Sequence, residues 1–295
     1  MDAVPEIRPA SWTELLEVLS ASDWPQAHGP RPQVVYRGLT TAERTLETSL
    51  SRLVRSPGDV ENHLLRNFRK YAHRDHAPAD SVWNWLALGQ HHGLPTRLLD
   101  WTFSPMVAVH FATYDMRTFT EDGVVWCVDF HAVHEHLPAQ LAELLRREGA
   151  DVFTTELLAG AVPDMTTFDK LAAENEPFAL FFEPPSLDDR IVTQAAVFSV
   201  MAGSWVGLHT WLSDHPGFAR RVVIPAGLKW EVRDRLDQAN VTERVLFPGL
   251  DGLAQWLRRY YGPRPERRSG TEPEVPAAAE ELPTGQGDDV GPPGA

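Results

Sequence analysis

Apolar and polar positions along the chain follow two rhythms, and the changes between them divide it into elements. "SWTELLEVLSA" places apolar residues three and four apart after Ser11, which predicts a capped helix. "QVVYRG" is a short apolar run stopped by a glycine and reads as a strand. "DVENHLLRNFRKYAHR", with Asp59 at its start, and "DSVWNWLALGQHHG", closed by Gly93, return to helical spacing. "TRLLDWT" is too short for a helix and is expected to be extended. In "SPMVAVHFATYDM" a serine cap precedes a proline in the first turn, a helix start. "GVVWCVDF", "PFALFFEPP", "RIVTQAAVFSV" and "RRVVIPAG" read as strands, and "DGLAQWLRRYYG" as a final helix. Two further helices are expected between Phe130 and Glu176. Strands and helices do not alternate regularly, so the pattern predicts an α+β domain.

Charge adds a division that hydropathy does not show. Acidic residues outnumber basic ones 41 to 27, for a net charge of −14. Glu272, Glu274, Glu280, Glu281, Asp288 and Asp289 fall in a stretch with no Lys or Arg. The segment 263–295 is rich in Pro, Gly, Glu and Ala, lacks aromatic residues, and is expected to be a disordered tail. The body stays acidic without it, which argues against bulk attraction to nucleic acid or anionic membrane but allows a local basic pocket. Cys127, the one cysteine, lies in an apolar run and has no internal partner, so a reducing, cytoplasmic setting is expected. No basic-then-apolar leader is visible in "MDAVPEIRPASW". No apolar run approaches the ~20 residues a membrane helix needs.

The chemistry concentrates in a few places. In Tyr36-Arg37-Gly38 a strand ends on a guanidinium whose planar fork matches phosphate or carboxylate. Gly38 allows close backbone approach or a positive φ. A structural role for Arg37, paired with an acid such as Asp100, is the competing reading. "QHHGLPTRLLDWT", from Gln90 to Thr102, is densest in polar groups. His91 and His92 end a helix, where they can cap carbonyls or wall a pocket. Neighbours on a helix point ~100° apart and cannot easily share one ion, so no metal is expected. If the next segment is extended, Arg97, Leu99 and Trp101 share one face, with Thr96, Leu98 and Asp100 on the other. Arg97 beside the Trp101 ring would suit a flat ligand, and Asp100 would orient Arg37 or a histidine. A buried Arg–Asp network is the alternative. On a strand, Arg190 and Gln194 would share a face. The Gln194 amide can bond a ribose hydroxyl but cannot act as a base, which leaves Glu183 as the nearest carboxylate for that task. "HAVHEH", His131 to His136, fits a surface loop, and the tryptophans, Trp205 and Trp256 among them, fall on apolar faces.

These residues resemble the FRG domain family, named for an aromatic-Arg-Gly motif. That motif is similar to Tyr36-Arg37-Gly38, with Tyr in place of Phe. The longer signature resembles Gln90 to Ala112, a later element resembles Arg190, Gln194 and Phe198, and the close resembles "LFPGLDGLAQWL". The resemblance implies a helical extension over 1–32, an FRG domain over 33–262 and the tail beyond. A looser resemblance, in order of elements, is to ADP-ribosyltransferases. It implies a mixed, split sheet flanked by helices and a cleft for NAD or a related nucleotide. There Arg37 would hold phosphate or ribose, Tyr36 and Trp101 would flank a ring, and Gln194 would touch the nicotinamide ribose. If the chain is an enzyme, the implied reaction is nicotinamide release with ADP-ribose passing to an unknown acceptor. Gln194 stands where those enzymes usually carry Glu, which favours the alternative, a non-catalytic module that senses a nucleotide or a nucleic-acid end. Such domains in bacteria are associated with toxin or defence roles.

Overall fold

The computed structural model describes residues 4–20, 34–53, 58–72, 79–186, 189–202 and 207–262. The expected tail, the 32/33 boundary and Trp205 lie outside them.

Eight strands form one mixed sheet: β1 Glu6–Ile7, β2 Val34–Leu39, β3 Leu98–Thr102, β4 Gly123–Asp129, β5 Phe153–Thr154, β6 Ala179–Glu183, β7 Ala196–Met201 and β8 Ala219–Ile224. Their spatial order is β1-β8-β4-β2-β3-β7-β6-β5. The β1–β8 and β5–β6 pairs are parallel and the others antiparallel. The chain is thus α+β around a mixed sheet, as the pattern predicts. The expected split is not a break, because the sheet is continuous. Its thinnest ladder is β2–β3, registered at Tyr36 with Thr102 alone.

Helices α1 Trp12–Ser20, α2 Ser49–Leu53, α3 Gly58–Tyr71, α4 Val82–His91 and α5 Pro105–Thr113 come from the first half of the chain. The second half gives α6 Phe130–His134, α7 Ala139–Glu148, α8 Thr155–Ala161, α9 Met165–Glu174, α10 Asp189–Thr193, α11 Leu208–Asp214, α12 Lys229–Gln238, α13 Glu243–Leu246 and α14 Leu250–Tyr261. The capping residues act as their chemistry dictates. Ser11 Oγ accepts from the Glu14 amide at 3.2 Å, while the Glu14 carboxylate takes the Ala10 amide at 2.8 Å. Ser81 and Ser104 cap α4 and α5, the latter with proline at its start.

Strand alternation sorts the core into three parts. On one face, Val35, Leu99, Trp101, Trp126, Phe181 and Val197 pack under α6 and α11. On the other, Val34, Tyr36, Val125 and Cys127 meet α1, α5 and α12, and Leu98, Leu180, Phe182 and Phe198 meet α4, α7, α8 and α9. The second face therefore has two helical covers, one on each side of the β2–β3 seam.

Three local readings need correction. "RIVTQAAVFSV" is not one strand: Asp189–Thr193 is helical, and only Ala196 onward is strand. β-branched residues give it strand character, but the Gln194 amide closes a helical turn on the Arg190 carbonyl at 3.0 Å. Phe130 to Glu176 holds four helices and a short strand instead of two helices. "HAVHEH" is not a surface loop either. His134 is buried, its Nε2 accepts from the Phe181 amide at 2.9 Å, and its Nδ1–H donates to the Asp151 carbonyl at 3.0 Å. Two bonded nitrogens fix a neutral tautomer, and burial pushes the pKa down to about 4.

Candidate functional site

A cavity of about 640 Å³ opens on the sheet face beside the β2–β3 seam, a volume usual for a small-molecule site. Four segments from three distant regions of the sequence border it: Tyr36–Gly38, Gln90–Gly93 with Asp100–Thr102, and Arg190–Gln194. Phe111, Ala196 and Phe198 complete it.

Gly38 sets the position of α5. A Cβ there would lie 1.9 Å from the Ala108 carbonyl oxygen and 2.6 Å from the Ala112 amide. Only glycine lets the helix backbone lie so close on β2, and this close approach, not a positive φ, explains it. The Phe111 ring, half-buried on the same helix, thereby reaches the cavity. On the opposite wall, α4 ends at His91, and Gly93, just past the cap, takes a φ of 79°. The Leu94 amide bonds back to the Gly89 carbonyl at 2.8 Å, and the Gly93 amide to Gln90 at 3.0 Å. This glycine-terminated closure fixes where the helix stops and presents both His91 and His92. His91 is half-buried, His92 is exposed, and their rings meet edge to face 5.2 Å apart.

The strand β3 divides its chemistry between faces. Asp100 faces the cavity with its side chain 55% exposed. Its Oδ2 accepts from Gln90 Nε2 at 2.7 Å and lies 3.6 Å from the Arg37 guanidinium. Gln90 is itself oriented by Thr96, whose hydroxyl donates to Oε1 at 2.5 Å. Arg37 donates to the Asp100 main-chain carbonyl across the seam. It belongs by alternation to the face of Val35, so its guanidinium reaches the cavity through the gap beside the single registered pair. Burial lowers its pKa, with Asp100 acting in the opposite sense. The structural pairing of Arg37 with Asp100 is therefore real, and it coincides with the cavity.

Arg97 and Thr96 are elsewhere. Arg97 is held between Glu61 at 2.5 Å and Asp169 at 2.7 Å, joining α3 and α9, and does not border the cavity. Thr96 is fully buried and bonds Gln90 and the Leu98 amide. Trp101 borders the cavity, but its indole lies in the opposite core, edge-on to Phe181, with Nε1 donating to Ser199 at 2.8 Å. It cannot flank a ligand ring, and Arg97 does not stack beside it. Glu183 is exposed at the end of β6. Alternation with Phe182 points it to the face opposite the cavity. Asp100 is thus the one carboxylate among the residues that border the cavity.

Arg190 and Gln194 do converge, as neighbours four apart on a helical turn instead of on a strand. The Gln194 amide nitrogen donates to the Leu246 carbonyl at 2.8 Å, and its main-chain carbonyl accepts from Thr102 at 2.6 Å. Ala195 follows in a left-handed conformation, φ 45°, and takes the Phe103 amide at 3.0 Å. That is costly for a residue with a Cβ and redirects the chain from α10 into β7. Arg190 lies over the Phe247 ring at 4.9 Å, and Phe247 meets Phe111 edge-on at 6.0 Å. Among the described residues, no carboxylate pairs with Arg190.

Behind α5 lies a charged network. Glu243 accepts from Arg233 at 2.9 Å and from Arg259 at 2.7 and 3.0 Å. Arg259 also forks onto Asp237 at 2.8 and 2.6 Å. Arg233 donates to His110 Nδ1 at 2.9 Å. Burial pushes His110 down to about 3, so it is neutral. Gly252 is wedged against the Phe247 carbonyl, 1.9 Å from where a Cβ would lie. The C-terminal helices thus brace Leu246 and Phe247, which hold Gln194, Arg190 and Phe111 from behind.

Sequence reasoning missed Gln90, Phe111 and Thr102 as cavity residues. Gln90 and Thr102 are the two ends of the dense block, and Phe111 stands on the helix that Gly38 admits. Among the described residues no group of three His, Cys, Asp or Glu side chains could hold a metal, and no helix is long and apolar enough to cross a membrane. No curated protein and no solved structure matches the chain. Residues 32–121, which carry β2, α4, β3, α5 and eleven of the sixteen residues bordering the cavity, match the FRG domain family.

Proposed function

We propose that the cavity binds a nucleotide, with NAD or a close relative as the occupant. One observation carries the reading: four segments singled out for their chemistry, separated by up to some 150 residues, border one cavity of nucleotide size. Arg190 is the cation for a phosphate, being half-buried and free of carboxylates among the described residues. Phe111 offers the ring for base or nicotinamide stacking, in the place expected of Trp101. His91, His92 and Asp100 supply groups for ribose hydroxyls. Gln194 is pinned by Leu246, which leaves its carbonyl oxygen as an acceptor.

Binding fits better than transfer. Glu183 is on the wrong face, and Gln194 cannot take a proton. If nicotinamide is released, Asp100 is the carboxylate to stabilise the developing oxocarbenium charge, from an oxygen that neither Gln90 nor Arg37 occupies.

Thermal unfolding with NAD, ADP-ribose, AMP and nicotinamide tests the reading. A ligand at a hundredfold its Kd adds about 2.7 kcal/mol of stability, several degrees in Tm. The expected result is a rise with NAD that Arg190→Ala removes. No rise with any of the four at millimolar concentration contradicts it. Nicotinamide release that depends on Asp100 separates the enzyme from the binding module.

A further inference from the structure

A second depression, of about 400 Å³, lies on the other side of the molecule near β1 and β8. Trp126 on β4 and Arg221 on β8 are register partners and both border it, with His209 of α11 alongside. Each carries one buried polar atom without a hydrogen-bond partner: Trp126 Nε1, Arg221 Nε and His209 Nδ1. Trp126 is 1% exposed, and its ring lies 5.4 Å from the Arg221 guanidinium and 5.5 Å from the His209 ring.

Orphaned buried polar atoms are uncommon, because each forfeits a hydrogen bond it would make in water. Three of them meet around this one depression. An indole N–H and a guanidinium Nε–H can only donate. The other nitrogens of Arg221 are already committed, to Glu6 at 2.8 Å and to the Ala42 carbonyl at 2.5 Å, so its orientation is fixed. Arg44 and Arg8 add cations to the lining, against the carboxylates of Glu43 and Glu6.

We infer that this depression is a second site, distinct from the nucleotide cavity, that takes an oxyanion: the phosphate or carboxylate group of a small molecule, bound by Trp126 Nε1–H and Arg221 Nε–H with Arg44 at its entrance. The pair supplies two donors, and the anion replaces the missing acceptors.

The test is a titration of the full chain with inorganic phosphate and, separately, with acetate, following indole N–H resonances by NMR. Trp126→Phe assigns the resonance. The expected result is a saturable shift of the Trp126 signal with one of the two anions at millimolar concentration. The stronger anion identifies the group. Arg221→Gln abolishes the shift, Arg44→Gln weakens it severalfold, and Arg190→Ala leaves it unchanged. The other indoles report whether Arg221→Gln is folded; if it is not, the exposed Arg44→Gln decides. No saturable shift with either anion, or a shift that Arg44→Gln leaves untouched, overturns the site and means that water alone meets these donors. Loss in Arg190→Ala would place the anion in the nucleotide cavity instead and also overturns it.

Discussion

Two charged clusters lie on either side of α5, and they are built to opposite ends. Behind the helix, Glu243 is wrapped by Arg233 and Arg259, Asp237 holds the far side of Arg259, and these arginine and Glu243 side chains are nearly shut off from solvent. In front of it, Asp100 is more than half exposed, one of its oxygens is left open, and Arg190 rests on an aromatic ring without an acid among the described residues. The first cluster is closed, with each acid committed to a cation. The second is oriented but not closed, which suits a ligand. Arg97 shows how small the sequence separation between these states is. Three residues before Asp100, it faces Glu61 and Asp169 and belongs to the closed kind.

The comparison predicts its largest effect behind the helix. Glu243→Gln leaves Arg233 and Arg259 buried without their shared acid, and should cost about 3–5 kcal/mol in chemical denaturation. A cost below about 1 kcal/mol would mean that water already reaches the network. Next comes Gly38→Ala. Its Cβ would strike backbone, not a side chain that can swing away. Overpacking of this kind costs about 1–3 kcal/mol, and the shift of α5 should also weaken nucleotide binding. A stable variant with unchanged binding would break the link between Gly38 and the cavity.

How much of this was legible follows from what each signal encodes. Caps, strand runs and Gly93 are local, so the elements around Gln90 to Ala112 follow the pattern closely. Arg190 to Gln194 does not, because a five-residue helix with Ile, Val and Thr has strand composition, and its turn is set by tertiary bonds to Thr102 and Leu246. Asp100 and Arg97 are alike as letters. Which one faces the cavity depends on strand register against β7 and on carboxylates supplied by α3 and α9, and neither is written in the segment itself. Trp101 departs from its expected place for the same reason: its ring follows Leu99 into the core.

A pH dependence sharpens the comparison. His110 and His134 are neutral in the fold, with pKa values pushed to about 3 and about 4, against 6.5 when exposed. The unfolded chain therefore binds protons that the folded chain refuses. Stability present above pH 6.5 should fall as the pH drops toward 4, and the contribution levels off below the folded values. Denaturation midpoints at successive pH values check this, and a flat profile through that window would contradict the buried neutral histidines. The smallest stability effect is expected in the open cluster. Asp100→Asn removes an exposed charge and should change stability by under about 1 kcal/mol, while altering nucleotide affinity. A destabilisation comparable to Glu243→Gln would show that the two clusters do the same job.

The most direct measurement is a crystal structure of the protein soaked with NAD. The account predicts density in the cavity between Phe111 and Asp100, with a phosphate at Arg190 and a ribose oxygen within hydrogen-bonding distance of Gln194. An empty cavity at millimolar NAD, or NAD bound away from Arg190, would contradict it.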